Sequence, residues 1–159
     1  MTFEINGLVP ELWCSDFEES LAFYTRKLGF DVVQRRGRDP HAYLGFRGAQ
    51  IMLAHWRFDG SWEPWFPEPM ARPFGRGINF QFMIEDVQGL HDRVVAAGVE
   101  PFLAFHTASI WRTDRMDERR QFMVLDPDGY LLRFSETLSH RPVERSDIDA
   151  LDATHGGGE

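Results

Sequence analysis

VPELWCSDFEESLAFYTRKLGF, residues 9–30, is the stretch that decides the fold. It predicts a buried strand that runs up to Asp16 and turns directly into an amphipathic helix, which Gly29 stops. One face of that helix is apolar at helical spacing, through Phe17, Leu21, Tyr24 and Leu28. Such a face needs a sheet to cover it.

The charges of this helix agree with its predicted direction. Asp16 can accept hydrogen bonds from the first free amides of the helix, and Glu18 and Glu19 follow in its first turn. Arg26 and Lys27 lie in the last turn, where the negative end of the helix dipole favours cations. Start and stop signals therefore agree on one helix.

The same pattern returns in IEDVQGLHDRVVAAGV, residues 84–99, with Asp86 as the cap and Gly98 as the stop. The Asp-to-Gly spacings are thirteen and twelve residues. A hairpin follows each helix, one at Arg47-Gly48 and one at DPDG, residues 126–129. We therefore predict an internal repeat of strand, helix and three strands.

The repeat carries a family resemblance. Its motifs are Ser20, Phe23-Tyr24 and Leu28-Gly29-Phe30 in the first unit and DPDGY, residues 126–130, in the second. Together they resemble the vicinal-oxygen-chelate superfamily, also called glyoxalase/bleomycin resistance/dioxygenase, over roughly residues 5–137. The resemblance implies an α+β fold in which two βαβββ modules form curved mixed sheets around a small-molecule cleft, usually in a homodimer.

These motifs predict the division of the chain. Residues 5–57 form the first module and residues 77–137 the second. Between them, residues 58–76 form an irregular linker rich in proline and tryptophan. Residues 138–159 form a flexible acidic tail, with room for a short helix capped by Ser146.

Composition excludes several classes of function. The net charge of −8 over 159 residues argues against nucleic-acid binding, which needs a basic face, and is compatible with a cationic ligand. No apolar run is long enough to span a bilayer, and no leader sequence is evident. The lone cysteine, Cys14, excludes an internal disulfide, so we expect a cytoplasmic protein.

Metal-dependent enzymes of the superfamily bind a divalent ion through His, Glu or Gln on the first and last strands of each module. The resemblance places these ligands at Val9, Met52, Asn79 and Arg133. Valine cannot coordinate, a thioether is too soft for hard cations and arginine is itself a cation. We therefore predict neither a metal nor another cofactor.

Strand alternation suggests which residues face the cleft. If the four metal positions point inward, so do their neighbours two residues away: Glu11, Trp13, Gln50, Gln81, Leu131 and Ser135. Glu11 and Arg133 could then neutralise each other, or each could bind a charged part of a ligand. With three loop tryptophans added, the predicted ligand-binding residues are Glu11, Trp13, Met52, Trp62, Trp65, Asn79, Gln81, Trp111 and Arg133.

No catalytic residue is predicted. The six histidines are scattered, and each is expected to be a surface or hydrogen-bonded structural residue. Cys14 has no evident activating base. Residues 106–120 are expected to be a polar loop between strands, with Trp111 as its one large apolar side chain.

Three functions remain open. The first is a binder resembling the bleomycin resistance proteins, which lack metal and sequester an aromatic, cationic drug in grooves at a dimer interface. In that branch the Val9-Pro10 pair marks a segment that crosses to the other subunit, although Pro10 also suits an ordinary edge strand. The second is an enzyme of the same superfamily with an atypical or absent metal site, whose substrate acid could be bound by arginines 112, 115, 119 and 120. The third is a dimeric scaffold whose cleft is only core.

Overall fold

The computed structural model describes residues 4–56 and 71–155. The first module contains β1 (Glu11–Cys14), α1 (Phe17–Ala22), β2 (Asp31–Arg35), β3 (His41–Phe46) and β4 (Ala49–His55), and a π-helical turn, Phe23–Leu28, continues α1. The second contains β5 (Asn79–Met83), α2 (Val87–Ala96), β6 (Leu103–Trp111), β7 (Arg115–Leu125) and β8 (Leu131–Pro142), followed by α3 (Arg145–His155). The order confirms the predicted repeat.

Each module builds one four-stranded mixed sheet. The strand orders are β1-β4-β3-β2 and β5-β8-β7-β6. In each sheet the first strand pairs in parallel with the last one, and the remaining pairs are antiparallel. The predicted α+β class is confirmed.

Both helices begin and end as their sequences indicate. The Asp16 carboxylate accepts a hydrogen bond from the Glu19 amide at 2.9 Å, and Asp86 accepts one from the Gly89 amide at 2.8 Å. The helical segments then reach glycines with left-handed backbones, Gly29 at φ 82° and Gly98 at φ 74°.

The modules share one core beneath their helix-facing sheet surfaces. On the first sheet, Leu12, Leu53 and Ala42 occupy one paired row, and all three are buried. On the second sheet, the corresponding row is aromatic and consists of Phe82, Phe134 and Phe122. The Phe46 ring lies 5.9 Å from each of Phe82 and Phe134, so aromatic contacts join the modules.

A buried carboxylate also joins the modules. Asp128, in the DPDG turn of the second module, is 1% exposed. It accepts hydrogen bonds from the amide and hydroxyl of Ser15 at 3.0 and 2.7 Å, directly before α1. Arg72 Nε lies 3.0 Å from the same carboxylate and provides the opposite charge.

The predicted loop over residues 106–120 was wrong, because strands β6 and β7 run through it as a hairpin. Its buried position is a carboxylate, Asp117, which is 2% exposed. Arg115 Nε lies 2.9 Å from it, and Arg112 and Arg119 each approach to 3.2 Å. Those contacts hold the pKa of Asp117 below its usual value, chiefly through the hydrogen bond from Arg115. Because the buried residue of this segment is charged, the sequence lacks the alternation of apolar and polar residues that predicts a strand.

Two boundaries also differ from the sequence interpretation. β1 begins at Glu11 rather than Leu8, since Pro10 has no amide to donate, although its carbonyl accepts from the Met52 amide at 2.8 Å. The division at residue 137 falls inside β8, and α3 occupies much of the expected tail. Trp62 and Trp65, in the linker, lie outside the described residues.

Candidate functional site

The candidate site lies on the sheet faces turned away from the helices, here called the cleft faces. On the first sheet, strand register places two rows of side chains there. One row joins Glu11, Met52 and Tyr43, and the other joins Trp13, Ala54 and His41. Residues paired across strands share a face, so these side chains form one surface.

The small side chain on this surface is Ala54, which is 5% exposed. The methyl side chain stands on the central strand β4, between Trp13 on β1 and His41 on β3. Neighbouring strands lie about 4.8 Å apart, which separates the backbones that carry the two rings by about 10 Å. A flat ring could therefore lie between them.

His41 is a buried histidine whose side chain makes no hydrogen bond to the described residues. It is 6% exposed, and its Nδ1 atom is buried and unpartnered. Its Nε2 atom lies 3.7 Å from Glu11 Oε1, too far for a hydrogen bond. Burial lowers the pKa of His41 and raises that of Glu11, while Arg36 lowers both.

The cleft face of the second sheet is polar. Ser135 donates to Gln121 Oε1 at 3.2 Å, and the other end of that amide contacts His106 Nε2 at 3.0 Å. In the next row, Arg133 lies between Gln81 on β5 and Met123 on β7. The Nε atom of Arg133 is buried and has no hydrogen-bond partner.

A groove of about 270 Å³ runs between the two sheets. Its lining includes Gln50 from the first sheet and Asn79 and Gln81 from the second. The amide of Gln50 is already bonded, because it accepts from the Asn6 amide at 2.9 Å and donates to the Glu4 carbonyl at 2.8 Å. Asn79 and Gln81 are exposed.

The predicted ligand-binding residues fall into two groups. Register places Glu11, Trp13 and Met52 on the first cleft face, and Asn79, Gln81 and Arg133 on the second. No ion pair joins Glu11 to Arg133 within the described chain, so they do not neutralise each other.

Trp111 does not join either group. It pairs with Met116 near the tip of the β6–β7 hairpin, five residues beyond His106 and therefore on the opposite face of β6. The other two predicted tryptophans, Trp62 and Trp65, fall in the part of the chain that is not described.

Comparison with known proteins supports the fold described above. The sequence model of the Glyoxalase/Bleomycin resistance protein/Dioxygenase superfamily matches residues 5–134. The chain belongs to this superfamily. None of the helices in the described residues is long and apolar enough to cross a bilayer.

Individual proteins extend the comparison. The uncharacterized protein YwkD of Bacillus subtilis (strain 168) is 30% identical over 132 residues, which cover 77% of this chain and 90% of YwkD. TioX from Micromonospora sp. ML1 superposes with a TM-score of 0.62 at 23% identity, covering 84% of this chain and 99% of TioX. A lactoylglutathione lyase from Agrobacterium tumefaciens has a TM-score of 0.54 at 16% identity, covering 84% and 96%. Both structures share the fold alone.

The metal chemistry of the superfamily does not fit this chain. Of the four positions that would hold the ion, Val9 has no donor atom, Met52 offers a thioether and Arg133 is a cation. Asn79 alone is a weak ligand. In the residues that the structure describes, no three His, Cys, Asp or Glu side chains come together as another metal site.

Three residues of the first cleft face lie outside the set that the superfamily resemblance predicts. His41, Tyr43 and Ala54 were not predicted as site residues, yet they complete the first cleft face. The missed signal is the alternation of His41 and Tyr43 with buried Ala42 and Leu44.

The four arginines between residues 112 and 120 all have partners within the hairpin. Three of them surround Asp117, as described above. The fourth, Arg120, lies 5.9 Å above the Phe105 ring. A solvated loop was expected to carry these charges, but the hairpin uses them internally.

Proposed function

We propose that the protein is a non-catalytic binder that sequesters an aromatic small molecule in the cleft. The observation that carries the proposal is the small side chain of Ala54, paired between Trp13 and His41 on the first cleft face. A planar ring placed there would gain stacking contacts on both sides. Such a site needs no metal, in keeping with the residues at the metal positions of the superfamily.

The neighbouring row adds softer contacts and a charge. Met52 can adapt to the outline of a ring, and Tyr43 lies 5.4 Å from His41, ring to ring. Glu11 supplies one carboxylate at the edge of this surface. The combination of apolar area with a few polar groups is typical of small-molecule sites.

The proposal includes a homodimer, with the cleft at its interface. Leu8 is 81% exposed and Ile5 is 55% exposed in the segment before β1. Apolar side chains this open favour burial against a second copy. We place the dimer in the cytoplasm, since its single cysteine needs no oxidising compartment. Light scattering during gel filtration should give twice the chain mass, whereas a monomer would reject this part of the proposal.

Fluorescence titration tests binding in the cleft. The two probes are metal-free bleomycin, the ligand that the resemblance implies, and phenylnaphthylamine, a neutral aromatic dye. We expect saturable binding to the wild type and its loss in Ala54→Leu, which places a larger side chain between Trp13 and His41. Ala96→Leu makes the same change on the exposed surface of α2 and should bind normally. Binding unaffected by Ala54→Leu would reject this site. If the neutral dye binds but bleomycin does not, only bleomycin as the ligand, and with it a role in resistance to that drug, would be rejected.

One observation favours a second candidate, an enzyme of the superfamily without a conventional metal site. Glu11 and His41 lie 3.7 Å apart, and an imidazole beside a carboxylate is able to move a proton on a bound substrate. The test is isomerisation of the hemithioacetal of methylglyoxal and glutathione. Activity abolished in His41→Asn but kept in Arg145→Gln would favour the enzyme, and no activity in the wild type would count against it.

A further inference from the structure

Arg133 is a partly buried cation without a hydrogen-bond or ion-pair partner among the described residues. Its Nε atom is inaccessible to solvent and unbonded, and no hydrogen bond or ion pair joins its guanidinium to any described residue. Burying a charged donor without an acceptor costs free energy, and native proteins rarely leave such groups unpaired. The Nε atom of Arg119 is also buried and unbonded, but its guanidinium reaches Asp117 through Nη2 at 3.2 Å.

The strand neighbours of Arg133 on its own sheet face carry no carboxylate. Its paired neighbours are Gln81 and Met123, and the flanking rows carry Asn79, Leu131 and Ser135 on the same face. These side chains are neutral. An unpaired positive charge therefore stands in the middle of the second cleft face, on β8, with exposed amide donors beside it on β5.

We propose that Arg133 binds the acidic group of the ligand, and that the ligand is a planar organic acid bearing a carboxylate or sulfonate. A guanidinium presents a flat fork of donors that matches two oxygens of an oxyanion. The amide of Asn79, which lines the groove between the sheets, can donate to the same group, whereas the amide of Gln81 donates to Met83 Sδ at 2.9 Å. This inference rests on the proposed function, because it assigns the charge of the molecule whose ring occupies the first cleft face.

A cationic ligand would bind at a different residue from an acidic one. Glu11, the carboxylate of the first cleft face, lies 3.7 Å from His41 and makes no ion pair with Arg133. A ligand cation would have to bind at Glu11, whereas a ligand anion would bind at Arg133. The two possibilities therefore predict effects of different substitutions.

A matched pair of dyes provides the test. Anilinonaphthalene sulfonate and phenylnaphthylamine share their rings and differ by one sulfonate. The variants are Arg133→Gln, Arg133→Lys and the control Arg145→Gln, which removes a charge from a side chain that is 91% exposed. Circular dichroism and thermal melting should first show that each variant is folded.

We expect the sulfonate dye to bind the wild type more tightly than the neutral dye. In Arg133→Gln its dissociation constant should rise about tenfold or more, since charge-assisted hydrogen bonds are lost, while the neutral dye is unaffected. Arg133→Lys should lie between, because it keeps the charge but not the fork. Arg145→Gln should match the wild type.

Two results would overturn the inference. If both dyes bind the wild type equally, or if Arg133→Gln binds the sulfonate dye as well as the wild type does, Arg133 does not select an acid. Neutral-dye binding that depends on Ala54 would still uphold the proposed function in that case. If neither dye binds saturably, the cleft site and the inference both fail.

Discussion

Tyr24 donates a hydrogen bond of 2.9 Å to Asp126, and this bond crosses from the first helix to the turn of the second module. The other oxygen of the carboxylate accepts from the amides of Asp128 and Tyr130 at 3.0 and 2.8 Å. Burial nevertheless dominates and raises the pKa of Asp126 from 3.8 to about 6. The pair therefore couples the packing of the modules to pH.

The raised pKa of Asp126 should make stability fall between about pH 4 and pH 6. A carboxyl whose pKa is raised by folding contributes most when it is protonated, so its contribution is lost as the pH rises through the folded value of about 6. Relative to Asp126→Asn, the wild type should lose roughly 3 kcal/mol at most over this range. Urea unfolding at a series of pH values measures it. A pH-independent difference between the two proteins would contradict the shift.

Gly29→Ala should destabilise the protein more than Gly98→Ala. Both glycines end helices with left-handed backbones, at φ 82° and 74°, so alanine should cost about 1 kcal/mol at either position. At Gly29, however, a Cβ atom would come within 2.8 Å of Arg93 Nη2, while nothing lies within 4 Å at Gly98.

Arg93 makes that contact because it donates to the Leu28 carbonyl at 2.7 Å. Thermal melting of the two variants should show the larger loss at Gly29, and adding Arg93→Ala should reduce the gap. Equal losses would mean that the arginine moves aside freely.

Cys14 should not react in the folded protein. Its thiol is 1% exposed and lies 3.3 Å from the Ala54 carbonyl, and burial raises its pKa to about 12. Because the thiolate is the reactive form, iodoacetamide at neutral pH should label it only after unfolding. Mass spectrometry before and after denaturant follows the label. Rapid labelling of the native protein would show that β1 opens readily.

Asp117→Asn should loosen the β6–β7 hairpin while leaving the first cleft face intact. The substitution removes the charge that three arginines share and leaves them to repel one another. Amide hydrogen exchange should speed up in residues 106–119, with no change in β1 or β5. Glu118→Gln, on the opposite face of the same strand, removes an equal charge and should have little effect. Unchanged exchange in Asp117→Asn would show that backbone pairing alone holds the hairpin.

Much of the fold could be predicted because its signals are local. The caps Asp16 and Asp86, the stops Gly29 and Gly98 and the DPDG turn each act through a few neighbouring bonds. Residues 106–120 were missed because Asp117 is compensated by arginines that flank it along the chain but gather round it only in the folded hairpin. Local pattern cannot show such compensation.

The sequence by itself determined the two modules, their order and the chemistry available at Glu11, Trp13, Asn79 and Arg133. Only the tertiary structure decided which of these residues are neighbours, because register between strands distant in the chain sets the rows of each cleft face. It added His41 and Ala54 beside Trp13, moved Trp111 to the other face of β6, and left Arg133 without a carboxylate partner among the described residues. Burial and pairing depend on the whole fold, and these two properties make an ordinary arginine a candidate binding residue.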